Sequence, residues 1–312
     1  MGEIQTTGGP VDVGDLGVTL IHEHLRTRSE SVVAQFPHVY DEDFEYSRAT
    51  DWVGQAMERG VKTICDPTVM ELGRDVRFMK RVADETGVQL VVATGIYTYH
   101  YLPPHFQNRE LDYMVDLFVR DIEVGIQNTD VKAAFIKCCT DEQGVTEDVE
   151  KVLRAAAQTS KRTGRPIMTH SHPASGQGLR QMEIFEDEGV DPAKVLIGHT
   201  GDTDSIDYIE ELLGHGPFIG MDRYGLDIIL PTEKRNATVV ELCKRGYADR
   251  MFLSQDACCT LDWYPEELRA QMVPKWTMTY VLDEIVPALK EAGVTDEQVA
   301  QMMEENPRRW LD

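Results

Sequence analysis

Short apolar runs alternate with longer amphipathic stretches along most of the chain. Runs of this length between turn residues are typical of buried strands. Eight of them are predicted to be strands, at residues 17–22, 61–67, 89–97, 132–139, 166–170, 194–199, 217–221 and 250–254.

The stretches between the runs repeat apolar residues every three or four positions, as one face of a helix does. In residues 73–87, for example, Val76, Met79 and Val82 fall on one face. Further helices are predicted at 111–126, 148–164, 179–189, 205–214, 232–246 and 277–293. Pro287 is expected to kink or split the last of them, because proline lacks the amide hydrogen that a helix interior requires.

Eight strands that alternate with helices over roughly 250 residues or more are typical of a (β/α)8 TIM barrel. We therefore predict an α/β fold with a single barrel domain over residues 1–312. A doubly wound open sheet is the alternative. Its dinucleotide-binding form has little support, because no Gly-x-Gly-x-x-Gly follows a predicted strand.

Composition and charge argue against several kinds of partner. The net charge of −23 disfavours nucleic acid and anionic membrane surfaces. No apolar run approaches the roughly 18 residues that span a bilayer, and the first residues resemble no signal peptide, so a cytoplasmic protein is expected. The six cysteines include no Cys-x-x-Cys pair, and most of them are expected to be small buried side chains.

The first apolar run ends in His22-x-His24. Side chains two apart on a strand point to the same face, so the two imidazoles are expected side by side, as half of a metal site. In a TIM barrel the active site lies at the mouth, where the carboxyl ends of the strands meet. The candidates that end predicted strands are His22, His24, Lys137, His170, His199 and Asp256. The alternative is a cluster of polar groups that satisfy one another.

Lys137 is unusual because it lies in an apolar strand, where a bare ammonium group is costly to bury. Its amine could reach out to a carboxylate. In the other interpretation it reacts with carbon dioxide to give a carbamate, which turns a cation into an anion with two oxygens. Such an anion is well shaped to bridge two metal ions.

Five segments carry a resemblance to a known family. They are Leu20-Ile-His-Glu-His-Leu25, Phe135-Ile-Lys137, Thr169-His170, Ile197-Gly-His-Thr-Gly-Asp202 and Leu253-Ser-x-Asp256. In these segments and their order, over essentially the whole chain, the sequence resembles the phosphotriesterase family of the amidohydrolase superfamily. Within that family it looks most like the phosphotriesterase-like lactonases.

The resemblance implies a binuclear centre of two divalent metal ions, with zinc expected first and cobalt, iron or manganese as alternatives. His22, His24 and Asp256 would hold one ion, and His170 and His199 the other. A carboxylated Lys137 and a hydroxide would bridge them. The hydroxide would attack the substrate, and Asp256 would carry the proton to the leaving oxygen.

Two further residues enter through the same resemblance. Tyr97 ends the third strand and Arg223 follows the seventh, and in the lactonases residues at these places lie beside the metals and the bound lactone. Both are therefore expected to assist catalysis and substrate binding. Packing at the mouth and loop pairing are the alternatives for both residues.

The loops after the last two strands bear on the substrate. A short apolar loop with Leu226 and Ile229 follows the seventh strand, and a longer loop with Cys258 and Trp263 follows the eighth. These four side chains are predicted to contact the substrate, because apolar residues on mouth loops can line a channel for an acyl chain. They can equally form a dimer surface. A homodimer is expected from the resemblance.

The sequence thus predicts a lactonase that hydrolyses N-acyl-homoserine lactones, a quorum-quenching activity, with promiscuous hydrolysis of organophosphate triesters. A dedicated phosphotriesterase is the enzymatic alternative, and a binding protein with a structural metal site is the alternative without catalysis. His172 repeats the His-x-His spacing on the fifth strand. It is left out of the ligand set, because the family does not use that position.

Overall fold

A parallel sheet of eight strands forms the centre of the computed structural model, which describes residues 2–312. The strands of the chain are β1 (Glu3–Thr6), β2 (Gly9–Asp12), β3 (Val18–Leu20), β4 (Glu23–His24), β5 (Val61–Asp66), β6 (Gln89–Gly95), β7 (Phe135–Cys139), β8 (Ile167–His170), β9 (Val195–Ile197), β10 (Phe218–Met221), β11 (Met251–Leu253) and β12 (Ala257–Cys258). The sheet runs from β3 through β5 to β11 in chain order, with every pair parallel. The first two strands form a separate antiparallel hairpin.

The sheet closes into a barrel along a short seam at its mouth. There β4, which follows the first barrel strand, pairs in parallel with β12, which follows the last. Backbone hydrogen bonds extend this seam, from Asp256 N to His22 O and from Cys259 N to His24 O, both at 2.9 Å. The eight predicted strands are present in the predicted order, so the predicted TIM barrel is confirmed.

Helices follow the strands and cover the sheet. They are α1 (Glu30–Gln35), α2 (Glu42–Glu58), α3 (Val76–Thr86), α4 (Pro104–Gln107), α5 (Leu111–Glu123), α6 (Glu147–Thr163), α7 (Gln177–Asp187), α8 (Ile206–Gly214), α9 (Thr232–Lys244), α10 (Glu266–Met272), α11 (Val286–Glu291), α12 (Asp296–Ala300) and α13 (Asn306–Leu311). Two π-helical turns, Val281–Ile285 and Gln301–Glu305, precede α11 and α13. Among residues 2–312, no helix has the length and apolar character needed to cross a membrane.

Local sequence explains where α6 begins and ends and why a π-helical turn precedes α11. Val149 N donates a hydrogen bond to Thr146 Oγ1 at 3.2 Å at the start of α6, and Gly164 ends that helix with a φ of 73°. The helix predicted at residues 277–293 is continuous from Tyr280 to Glu291, but its residues Val281–Ile285 form a π-helical turn directly before α11. Pro287 lies in the turn that follows, so the disturbance expected from the proline is a local π-helical turn and not a break in the helix.

Several elements have too weak a pattern to be predicted. The helix α2 buries Glu45, Ala49, Val53 and Ala56, so only one of its fully buried side chains is a branched aliphatic one. Glu45 is buried because it pairs with Arg28, whose Nε donates to Oε1 at 3.1 Å, and only the fold brings the two together. The β1–β2 hairpin and the last two helices are too short for a period to show.

Two apolar layers stabilise the barrel. The larger lies between the sheet and the helices, and the smaller fills the base, which is the amino-terminal end of the barrel interior. At the base, the ring of Trp310 from α13 lies 5.6 Å from that of Phe135 and 6.1 Å from that of Phe252, centroid to centroid. The C-terminal helix therefore closes the end of the barrel opposite the mouth.

All six cysteines are buried with free thiols, as predicted. Cys65 belongs to the layer at the base, and Cys138 and Cys243 belong to the outer layer. Burial raises the pKa of Cys138 to about 12 and that of Cys243 to about 11, so both thiols stay protonated at neutral pH. They act as small apolar side chains.

Candidate active site

The six residues predicted as metal ligands lie together inside the mouth of the barrel. Lys137 Nζ lies 3.2 Å from His22 Nε2. Asp256 Oδ1 lies 3.3 Å from His22 Nε2 and 3.2 Å from His24 Nε2. The other carboxylate oxygen, Oδ2, lies 3.8 Å from His199 Nε2. Side chains from four different strand ends thus meet here, and His170 adds a fifth.

His170 ends β8. One of its ring nitrogens, Nδ1, faces the cluster, whereas Nε2 is bound outside it. Its Nε2 lies 3.3 Å from Asp141 Oδ2, whereas its Nδ1 lies 3.3 Å from the hydroxyl of Tyr97. The ring packs against that of His199 with centroids 4.5 Å apart. The hydrogen bond to Asp141 therefore leaves Nδ1 as the nitrogen that faces the site.

The His-x-His pair differs from the predicted geometry in one respect. The strand expected at residues 17–22 ends at Leu20, and His22 lies between β3 and β4. The two rings still lie side by side, with centroids 5.5 Å apart. They do so because β4 pairs with β12 at the seam, which holds His24 in place.

Asp222 and Thr68, whose roles the sequence did not reveal, orient three of the histidine rings. Asp222 is fully buried after β10, with Oδ2 at 2.8 Å from His22 Nδ1 and Oδ1 at 3.1 Å from His199 Nδ1. Thr68 Oγ1 lies 2.6 Å from His24 Nδ1. With each Nδ1 occupied, each Nε2 points into the cluster. The available signal for Asp222 was an aspartate directly after an apolar strand.

Three buried histidines of the cluster, His22, His170 and His199, are neutral at ordinary pH. Burial, aided by the charge of Lys137, lowers the pKa of His22 to about 4. Burial also lowers the pKa of His170, and lowers that of His199 well below its usual range. Burial alone would raise the pKa of Asp256, but His22 and the hydrogen bond from His24 outweigh it and hold that pKa well below the usual range. The site thus combines neutral imidazoles with an ionised carboxylate.

Lys137 is fully buried without a carboxylate partner. Within the part of the chain that the structure describes, residues 2–312, its amine forms no ion pair and contacts the neutral ring of His22. Burial lowers its pKa, while the more distant charges of Asp256 and Asp222 act in the opposite direction. A lowered pKa makes more of the uncharged amine available, which is the form that reacts with carbon dioxide.

Arg223 joins two carboxylates at the rim of the cluster. Its Nε donates to Asp256 Oδ2 at 3.0 Å, and its Nη1 donates to Asp202 Oδ2 at 3.0 Å. On the far side, Asp202 Oδ1 lies 2.8 Å from Nη2 of the buried Arg235. Burial would lower the pKa of Arg223, but Asp202 and Asp256 outweigh it and raise the pKa. Because this guanidinium keeps its proton, the chain of charges holds Asp256 in place and cannot relay a proton.

A cavity of about 250 Å³ opens beside the cluster, and its walls away from the cluster are largely apolar. Leu226, Ile229, Cys258 and Trp263, the four predicted substrate contacts, all line it together with Tyr97. Burial raises the pKa of Tyr97, so its hydroxyl keeps the proton and can donate a hydrogen bond. Trp263 is 47% exposed, and its ring lies 6.5 Å from that of Tyr97 at the entrance.

Neither His172 nor Cys258 adds to the ligand set. His172 Nδ1 is bonded to Ser175 Oγ at 2.8 Å, and among residues 2–312 His172 is not part of the cavity wall. Burial raises the pKa of the Cys258 thiol, so it is not the soft thiolate that captures a metal. Cys258 remains a wall residue.

The donor set fits a divalent transition metal. His22, His199 and Asp256 offer one donor atom each, and these atoms lie within 4.8 Å of one another. Neutral imidazole and ionised carboxylate are the ligands that zinc prefers beside thiolate. A carboxylate on the outer nitrogen of a histidine, as Asp222 provides, is the usual arrangement around metal-binding histidines.

The fold is a TIM barrel, and the cluster at its mouth, beside an apolar cavity, is a candidate metal centre. Comparison with known proteins gives the family: the chain belongs to the phosphotriesterase family, whose model matches residues 2–311. It is therefore a hydrolase, and the resemblance read from the five segments is confirmed.

Individual relatives agree over the whole length. The chain is 51% identical over 303 residues to an aryldialkylphosphatase of Saccharolobus solfataricus, a match that covers 96% of both chains. It is 47% identical over 320 residues to a phosphotriesterase homology protein of Mycobacterium tuberculosis, covering 100% of this chain and 98% of the relative. The solved structure of the phosphotriesterase from Mycobacterium tuberculosis superposes with a TM-score of 0.97 at 46% identity, covering 100% and 98% of the two chains.

Proposed function

We propose that the protein is a metal-dependent lactonase that hydrolyses N-acyl-homoserine lactones and, more slowly, organophosphate triesters. The proposal rests on one observation: a cluster of His, Asp and Lys side chains lies beside an apolar cavity of about 250 Å³. A lactone with an acyl chain needs both parts, because its carbonyl requires polar activation and its chain requires an apolar wall.

The metal centre is part of the proposal. His22, His24 and Asp256 would hold one ion, His170 and His199 the other, and a carboxylated Lys137 would be shared. Two such ions lower the pKa of a bound water and polarise the oxygen of the substrate. Zinc is the first candidate, and cobalt, iron and manganese remain alternatives because they accept the same ligands.

The protein side chains supply orientation and proton transfer. Asp256 is ionised and held by Arg223, so it can accept a proton from the attacking water and deliver it to the leaving oxygen. Tyr97 keeps its proton beside the cavity, so it can donate a hydrogen bond to the ring oxygen of a lactone. Asp222 keeps His22 and His199 in the tautomer that presents Nε2 to the site.

A dedicated phosphotriesterase is the second candidate. The relative at 51% identity carries the name aryldialkylphosphatase, which favours it. A triester is also electrophilic and apolar, so the same cluster and wall would accept it. Only the ratio of the two activities separates these functions.

That ratio can be measured on protein reconstituted with zinc. We expect kcat/KM for N-acyl-homoserine lactones to exceed that for paraoxon at least tenfold and to rise with acyl chain length. A rate for paraoxon above that for every lactone would overturn the substrate assignment in favour of the phosphotriesterase. No turnover of either class would favour a binding protein.

We also propose a homodimer. Phe36 and Val39, beside α1, are 55% and 60% exposed, and an exposed apolar patch often marks an interface. Sedimentation velocity at micromolar concentration tests this, with a sharp monomer boundary as the contrary result. A Phe36→Glu variant should weaken the dimer if this patch forms the contact.

A further inference from the structure

The seam that closes the barrel joins the segments that carry three of the six candidate ligands. His22 and His24 lie on one side, and Asp256 lies on the other. Glu23 lies between the two histidines and has no exposed surface. It belongs neither to the candidate ligands nor, among residues 2–312, to the cavity wall. A buried carboxyl group in this place needs a reason.

The carboxyl group of Glu23 accepts three hydrogen bonds from the other side of the seam. Ser254 Oγ and Gln255 N donate to Oε1 at 2.7 and 2.9 Å, and Ala257 N donates to Oε2 at 2.8 Å. Gln255 and Ala257 are the two neighbours of Asp256. Glu23 therefore binds the backbone on both sides of a candidate ligand, with both of its oxygens in use.

Asp256 needs this support because its backbone has a φ of 53°. A residue with a Cβ atom is less stable in this left-handed region than in the usual ones, aspartate less severely than most, and its surroundings help to hold it there. The amide of Asp256 itself donates to His22 O at 2.9 Å. Three consecutive amides, from residues 255 to 257, are thus bound by His22 and Glu23.

Ser254 completes the arrangement. Its hydroxyl donates to Glu23 and accepts a hydrogen bond from His22 N at 3.1 Å. These hydrogen bonds therefore hold the backbone in place on both sides of Asp256.

We propose that Glu23 is a positioning residue that fixes the left-handed turn at Asp256 and so aims the Asp256 carboxylate at the point where His22 and His24 converge. Glu23 acts through two backbone amides and the hydroxyl of Ser254, and it touches neither a donor atom of the cluster nor the cavity. The inference rests on the proposed function only in taking Asp256 as a metal ligand, and it is independent of the substrate.

Glu23→Gln tests the proposal, because the new amide group turns a donor toward one of the backbone donors. We expect zinc affinity, measured on metal-free protein by competition with a chelator, to fall about 10–100-fold. Hydrogen exchange at the amides of residues 255–257 should become faster. Glu23→Asp keeps both acceptors but is one methylene shorter, so it should recover part of the affinity. Wild-type affinity in folded Glu23→Gln would overturn the proposal.

Two controls separate positioning from general stability. Glu45→Gln removes another buried carboxylate, which is bound to Arg26 and Arg28 and accepts no hydrogen bond from residues 254–257, and should leave zinc affinity unchanged. In an Asp256→Gly background there is no carboxylate to aim, and glycine adopts the turn without strain. Glu23→Gln should then have no further effect on zinc affinity. An equal loss in both backgrounds would contradict a role through Asp256.

The outcomes also separate this proposal from the proposed function. If Glu23→Gln does not fold, Ser254→Ala removes one of the three donors and should give the same changes at smaller size. Wild-type exchange rates in Ser254→Ala would count against the proposal. If the wild-type protein binds no zinc, the proposed function fails, while hydrogen exchange at residues 255–257 still tests the turn. If it binds zinc but hydrolyses no lactone, only the substrate assignment fails.

Discussion

The base and the mouth of the barrel interior are equally buried but have opposite chemistry. Phe135 and Phe252 pack around Trp310 at the base, and two residues further along the same strands come Lys137 and Ser254 at the mouth. All five side chains are at most 1% exposed. Since a strand rises about 3.3 Å per residue, the change from aromatic to polar takes only about 7 Å.

The difference shows that the two ends are stabilised in different ways. At the base, apolar contact suffices, and a similar side chain of the right volume would serve nearly as well. At the mouth, each polar group needs a particular partner, as when Asp222 serves two histidines and Glu23 accepts from three donors. The buried polar groups of the mouth lower the stability of the fold, and the apolar contacts at the base help to offset that loss.

Glycines allow the two ends to lie so close together. A Cβ atom added to Gly198 would lie 2.1 Å from Thr169 O, and one added to Gly220 would lie 2.5 Å from Asp222 Oδ2. Any side chain at these positions would push the mouth groups out of place. The change from an apolar base to a polar mouth therefore depends on glycines, which have no side chain.

The largest expected effect is a loss of activity at the mouth without loss of the fold. Asp256→Asn removes the charge that moves the proton, and asparagine tolerates the left-handed backbone. We expect kcat/KM for lactones to fall about 10²–10⁴-fold. The unfolding free energy of metal-free protein, measured in urea, should change by less than about 1 kcal/mol. A large loss of stability with activity retained would instead indicate a structural site.

Trp310→Ala should give the opposite result at the base. Removing a fully buried indole from a packed layer costs about 3–5 kcal/mol of unfolding free energy. Activity per folded molecule at 25 °C should stay close to that of the wild type, because Trp310 lies at the other end of the barrel. Trp263→Ala, at the half-exposed entrance, is the matched control and should cost far less stability. If Trp310→Ala also removed zinc binding from folded molecules, the two ends would not be independent.

The two ends also differ in what could be predicted from the sequence. The six candidate ligands were predictable because each lies in or shortly after an apolar run and the barrel brings all strand ends together. Trp310 was not, because its helix is too short to show a period and its partners, Phe135 and Phe252, lie far away along the chain.

Within the mouth, the sequence identifies the polar residues but does not show which role each of them has. Asp222 and Asp256 both follow apolar strands, and only their contacts show that one orients histidines while the other faces them. Glu23 gave no signal at all, because its partners are mainly backbone amides, which every residue but proline carries. A side chain that binds backbone amides therefore leaves no motif in the sequence.

The mouth should also make stability depend on pH. Burial lowers the pKa of His22 from 6.5 to about 4 in the folded protein, so between these values the unfolded chain binds more protons. The contribution of His22 is therefore complete above about pH 6.5 and is lost as the pH falls toward 4, at about 1.4 kcal/mol for each unit of pKa difference. His170 and His199 shift in the same direction. Asp256 and Asp222 add to this only at lower pH, because their usual pKa is 3.8.

Urea unfolding of metal-free protein between pH 4 and 8 measures this dependence. His22→Asn should flatten the curve, since the variant has one fewer depressed histidine. Trp310→Phe, a change confined to the base, should lower the curve at every pH without changing its slope. Equal slopes in wild type and His22→Asn would show that His22 is not buried in its neutral form.

The smallest expected effect concerns ring orientation. Asp222→Asn keeps the size of the side chain, but its amide group can no longer accept from both His22 and His199. One ring loses its fixed tautomer, so zinc affinity by chelator competition should fall about 10–100-fold while the fold is kept. Thr68→Val releases only His24 and should cost less. Phe218→Leu, at the base on β10, the strand that precedes Asp222, should leave zinc affinity unchanged. If Thr68→Val cost as much as Asp222→Asn, the value of Asp222 would lie in its charge and not in holding two rings at once.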